Sequence, residues 1–82
     1  MVQLQVLNKV LQNKNATFFS YNNITYEYFS DYEKEFNFIK EHIDSYGNVP
    51  DVLTFKNKFE NFPIIEVSES DDFLLGELYK EH

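Results

Sequence analysis

SDYEKEFNFIKEHIDSYGNVPDVLTFKNKF, from Ser30 to Phe59, spells two helices and the turn between them, with a signal at each boundary. Ser30 and Glu33 stand at capping-box spacing, in which the Ser30 hydroxyl accepts from the amide of residue 33 and the Glu33 carboxylate reaches back to the amide of Ser30. From there Tyr32, Phe36, Ile39, Ile43 and Tyr46 recur at alternating steps of four and three, which sets them along one face of a helix. Glu33, Asn37, Lys40, Glu41 and Asp44 take the opposite face. Gly47 can adopt the left-handed conformation that ends a helix, and Pro50 cannot continue one. Asp51 can cap the next helix, with Pro50 packed on Phe55 as a staple, and that helix is expected to bury Val52, Phe55 and Phe59.

Working towards the N-terminus, Val2 to Lys14 reads as a first helix with two apolar stripes, one of Leu4, Leu7 and Leu11 and one of Val2, Val6 and Val10. A surface helix of a small bundle needs only one stripe, so the second calls for another neighbour, either inside this chain or on another subunit. Asn15 to Tyr21 can form a short helix capped at Asn13 or Asn15, carrying Phe18 and Tyr21 inward, and the Asn22-Asn23 pair breaks it. Thr25 to Phe29 is expected to be a single turn or an irregular connection. Towards the C-terminus, Phe62-Pro63-Ile64-Ile65-Glu66-Val67 has β-branched content, yet Pro63 and the lack of a second strand favour a packed loop. Ser68-Glu69-Ser70-Asp71 has the spacing of another capping box, and the last helix is expected from Ser70 to the end, with Leu74, Leu75, Leu78, Tyr79 and His82 on one side. No stop signal precedes the end of that helix, which suggests a piece excised from a longer chain.

Eighty-two residues suit one small domain spanning 1–82, and a core this short has to be rich in large side chains. Nine Phe and six Tyr provide it, each aromatic burying on the order of 150–250 Å² when enclosed. The fold class that follows is all-α, a small orthogonal bundle of about five short helices. Without cysteine there is no disulfide and no thiolate metal site, and without an apolar targeting or spanning segment the expected location is cytoplasmic, with no membrane partner. The sequons Asn15-Ala16-Thr17 and Asn23-Ile24-Thr25 then read as chance occurrences.

A net charge of -7, with seven lysines and no arginine, argues against nucleic acid as a direct partner, because phosphates are held by clustered cations. The lysines are scattered, and the Lys56 and Lys58 pair reads as a solvated edge. Neither Gly47 nor Gly76 begins a phosphate-binding loop, so no nucleotide cofactor is expected on this segment. His42 and His82 lack the further ligands of a zinc site, and Asp71 and Asp72 read as helix-start acids, leaving neither metal nor catalytic residues to nominate. Phe38 and His42 can form an exposed aromatic edge or pack at the margin of the core. From Glu66 to Glu81 the only base is Lys80, so the solvent face there is negative, either merely solvated or able to steer a basic partner.

Several segments together resemble a known family. Tyr28-Phe29, the helix from Phe36 to Tyr46, and Gly47-Asn48-Val49-Pro50-Asp51-Val52-Leu53-Thr54-Phe55 are similar to the N-terminal domain of DnaB-type replicative helicases, especially phage and low-GC bacterial forms. Leu4 to Gln12 is like that family's opening helix, and Asp71-Asp72-Phe73-Leu74-Leu75-Gly76-Glu77-Leu78 is like its closing aromatic-leucine helix. The resemblance covers nearly the whole chain and implies a DnaB N-terminal-domain-like fold, the excised head of a longer helicase. It implies a noncatalytic interaction and assembly role in DNA replication within the primosome, with primase, helicase loader and neighbouring helicase subunits as partners. ATP and magnesium would then belong to a motor domain absent here. Positions with surplus apolar surface, Val2, Val6, Val10, Leu75 and Tyr79, are the expected partner contacts. An alternative from another class is a stand-alone small acidic phage protein that binds or inhibits a host nucleic-acid-binding protein, although the acids are spread over several helices.

Overall fold

A computed structural model describes all residues, Met1 to His82. Five α-helices follow in order: α1 (Val2–Asn13), α2 (Phe18–Tyr21), α3 (Glu33–Tyr46), α4 (Val52–Lys58) and α5 (Asp71–Glu81), with a 3-10 turn at Tyr26–Tyr28 between α2 and α3. No strand forms, in agreement with the all-α expectation. No helix is long and apolar enough to cross a membrane.

The core has an aromatic spine in two linked groups. In the first, Phe19 from α2 meets Phe36 of α3 at a ring-centroid distance of 4.6 Å and Phe29 at 6.1 Å, while Phe29 and Phe36 stack at 4.9 Å. In the second, Phe55 of α4 lies 5.0 Å from both Phe59 and Phe62, and Tyr32 meets Phe62 edge-on at 5.4 Å. Edge-on and offset pairs of this kind add roughly 0.5–1.5 kcal/mol each beyond the area they bury. Helix α5 packs on α1 and on the 3-10 turn, with Leu74 and Leu78, one helical turn apart, fully buried.

α1 is the central element. Val2, Val6, Leu7, Val10 and Leu11 are all buried, so the valine stripe is covered within this chain and the leucine stripe is covered except at Leu4, which is partly buried against the core. Lys14 ends the helix in the left-handed conformation, its amide bonding to Val10 O. Gly47 does the same for α3, at φ 80 with its amide 2.7 Å from Ile43 O.

Local expectations fail where a polar side chain finds a distant partner. Ser30 caps nothing: a turn closed by Tyr32 N to Phe29 O delays α3 to Glu33, and the Ser30 hydroxyl accepts from Gln3 Nε2 at 3.3 Å. Asp51 does stand at the cap position of α4, but its carboxylate takes Lys14 in place of a helix amide. In the last capping signal it is Ser70, ahead of Asp71, that accepts from Phe73 N at 3.1 Å, and no reciprocal acid completes a box. Tyr21 points outward and Phe19 takes its expected place inside; Tyr46 and Val52 are likewise exposed. Phe59 is only half-buried.

Candidate functional site

Phe62 to Val67 is the packed loop that the sequence suggests, and it is pinned to α1 by amide side chains. Asn8 donates from Nδ2 to Pro63 O at 3.0 Å and accepts at Oδ1 from Ile65 N at 2.9 Å. Gln12, one turn further along, donates from Nε2 to Val67 O at 3.0 Å and accepts at Oε1 from Val67 N at 2.9 Å. The spacing explains the fit. Four residues of helix rise about 6 Å, and two residues of extended chain advance about 6.6 Å, so side chains at i and i+4 meet backbone groups two residues apart. Each carboxamide carries a donor and an acceptor, which is what a neighbouring strand would otherwise supply.

Asn8 is only 2 % exposed, and its second amide hydrogen goes to Leu4 O at 3.0 Å, so a buried polar residue on the core helix is satisfied. Gln3 repeats the device at the other end of α1, accepting from Asp31 N at 3.0 Å. No buried side-chain nitrogen or oxygen lacks a partner.

All four pinned groups belong to odd-numbered residues. Along an extended chain the N–H and C=O of one residue point to the same side and alternate with those of the next. The amides and carbonyls of Ile64 and Glu66 therefore face away from α1, and none of them has a hydrogen-bond partner within the chain. Beside this edge lies an open groove of about 330 Å³, floored by Leu11 and Asn8, rimmed by Val52, Ile64 and Ile65, and bounded by Gln12 and Glu66. The three rim residues are each exposed to about two-fifths, which groups apolar surface at one place. Glu66 is the only charged side chain lining the groove.

The expected partner contacts fare differently. Val2, Val6 and Val10 are buried at 3 %, 0 % and 1 % exposure, so α1 offers none of the surplus surface expected there. Leu75 is partly buried against the core. Tyr79 remains 47 % exposed, its ring edge-on to Tyr28 at 5.8 Å and its hydroxyl donating to Asn22 O at 3.4 Å. His82 joins the same cluster, 4.4 Å from the Tyr28 ring, and nowhere in the structure do three His, Cys, Asp or Glu side chains converge.

A second polar cluster sits where the α3–α4 loop meets the end of α1. Lys14 Nζ lies 2.6 Å from Asp51 Oδ1, and that hydrogen bond and charge hold the Asp51 carboxyl below its ordinary value. His42 Nδ1 is 2.8 Å from Asn48 O; a carbonyl can only accept, so Nδ1 carries the proton and the ring clips the loop to α3. Phe38 reaches inward to Phe55 and Phe59 while His42 contacts Tyr46, so the Phe38–His42 pair straddles core margin and surface. Lys56, expected at a solvated edge, donates to Glu60 O and Phe62 O at 2.6 and 2.7 Å and fixes the chain entering the pinned segment.

Sequence reasoning passed over Asn8, Gln12 and the Ile64–Glu66 edge. The available signal was two carboxamides spaced i, i+4 on an otherwise apolar face of α1. Comparison with family models, with curated proteins and with solved structures finds no match to this chain.

Proposed function

We propose that this chain is a noncatalytic protein-interaction and assembly domain, the N-terminal head of a DnaB-type replicative DNA helicase of the phage or low-GC bacterial kind. Its partners in this reading are primase, a helicase loader and neighbouring helicase subunits in the cytoplasm. Nucleotide, magnesium and DNA are left to a motor segment outside these residues.

The observation that carries the reading is the order of elements from Phe29 to Phe55. An aromatic residue precedes a long helix, Gly47 ends that helix in the left-handed conformation, and a loop through Pro50 leads to a helix begun at Asp51. This is the arrangement that the resemblance implies. The opening and closing helices, α1 and α5, pack on each other around it. An acidic surface without arginine suits a domain that handles proteins rather than phosphate backbones.

The test is a titration of the purified chain, immobilised through its N-terminus, with the primase and the helicase loader encoded by the same genome. Saturable binding of either at micromolar concentrations is expected. Absence of binding to both, together with a gene that encodes no nucleotide-binding motor after this segment, would overturn the reading.

A further inference from the structure

We propose that the Ile64–Glu66 edge and the groove beside it form a docking site for an extended, basic and apolar peptide, which adds to this edge as a β-strand would. The site is independent of which protein supplies the peptide.

Three observations select this occupant. The first is the free backbone: Ile64 and Glu66 together present two amides and two carbonyls on one side, all without partners in the chain. Another extended backbone offers donors and acceptors at the matching two-residue repeat, and such pairing is a recurrent mode of peptide capture. The second is the pinning by Asn8 and Gln12, which holds the segment extended before any peptide arrives. Ordering a loop on binding costs about 1–2 kcal/mol per residue, and here that ordering is built into the fold.

The third is charge. Between Ile64 and Tyr79 there is no lysine, whereas Glu66, Glu69, Asp71 and Asp72 form no ion pair within the chain. A lysine-bearing peptide gains from this field. A second copy of the chain, itself at -7, is repelled by it. Alternate apolar side chains of the bound peptide lie against the exposed Ile64 or Ile65 side chain on the same face of the paired stretch. Phe62, whose amide bonds to Phe59 O and whose carbonyl accepts from Lys56 Nζ, limits the edge on one side and keeps the paired stretch short.

The probe is acetyl-(Lys-Val)3-Lys-amide, titrated into the intact chain and followed by amide NMR. Two control peptides accompany it: the same sequence N-methylated at alternate backbone amides, and acetyl-(Glu-Val)3-Glu-amide. Saturable shifts centred on Ile64 to Glu66 are expected, with affinity falling at least tenfold for either control. Ile64→Pro removes one free donor without breaking an internal bond, and is expected to weaken binding at least fivefold while leaving the melting temperature close to that of the parent.

Because the N-methylated control alters only the peptide, it tests the backbone pairing even if Ile64→Pro fails to fold. Equal affinity for the N-methylated peptide, shifts centred on Tyr79 or elsewhere, no binding at millimolar peptide, or a concentration-dependent dimer that protects the same edge would each overturn the proposal.

Discussion

The α3–α4 hairpin and the Phe62–Val67 segment both lean on the same core, but they are held by opposite kinds of force. In the hairpin, apolar side chains at helical spacing drive the packing: Phe36, Ile39 and Phe55 are buried, and Gly47 turns the chain between them. In the segment, the backbone itself is gripped by Asn8 and Gln12, and of its six residues only Phe62 and Val67 are buried. Burial fixes the first by an undirected force. The second is fixed by directed bonds, which leave a defined set of backbone groups free on the far side. A surface that recognises an extended chain needs that second kind of order.

Substitutions in the two regions should therefore fail in different ways. The largest effect is expected from Phe55→Ala, which opens a cavity where four aromatic rings meet and should cost roughly 3–5 kcal/mol of unfolding free energy in urea melts. Next comes Asn8→Leu. If burial alone held the segment, an apolar residue of similar size would be neutral or stabilising. Because Pro63 O and Ile65 N lose their partners, a loss of about 2 kcal/mol is expected, with faster exchange of the Ile65 amide.

A smaller change separates backbone conformation from packing. Gly47→Ala meets no atom within 4 Å of the new Cβ, so only the left-handed backbone resists, and a loss of about 1 kcal/mol is expected. The smallest effect belongs to the exposed Lys14–Asp51 pair. Its Asp51 carboxyl titrates below the ordinary 3.8 because of the lysine, so the folded state binds this proton less readily than the unfolded one. The pair's contribution is thus present above that value and is lost as the pH falls through the depressed one. Lys14→Met should move the NMR titration of Asp51 back up, and should lower neutral-pH stability by only the small amount by which that part of the acid limb flattens.

The same contrast explains how much could be read from the sequence. Helical spacing alone predicts α1, α3 and the burial of Phe36, Ile39 and Phe55, because apolar periodicity records which face meets the core. The Gly47 and Pro50 boundary is equally legible, since it depends on the residues' own backbone preferences. Ser30 and Asp51 misled for one reason: a polar side chain that could cap locally was recruited by Gln3 or Lys14 instead, and nothing near it in the sequence marks that choice. Asn8 and Gln12 reach partners 55 residues away, a separation across which one sequence gives no pairing signal. Val2, Val6 and Val10 pose the converse problem. A second apolar stripe says that another neighbour exists, and only the three-dimensional arrangement reveals that Val2, Val6 and Val10 are covered from inside this chain.

Hydrogen exchange of four consecutive amides, Ile64 to Val67, followed residue by residue by NMR in the free protein, tests the pinned edge most directly. Slow exchange at Ile65 and Val67 with fast exchange at Ile64 and Glu66 is expected from their bonds to Asn8 and Gln12. A uniform rate along the four, whether all fast or all protected, would contradict it.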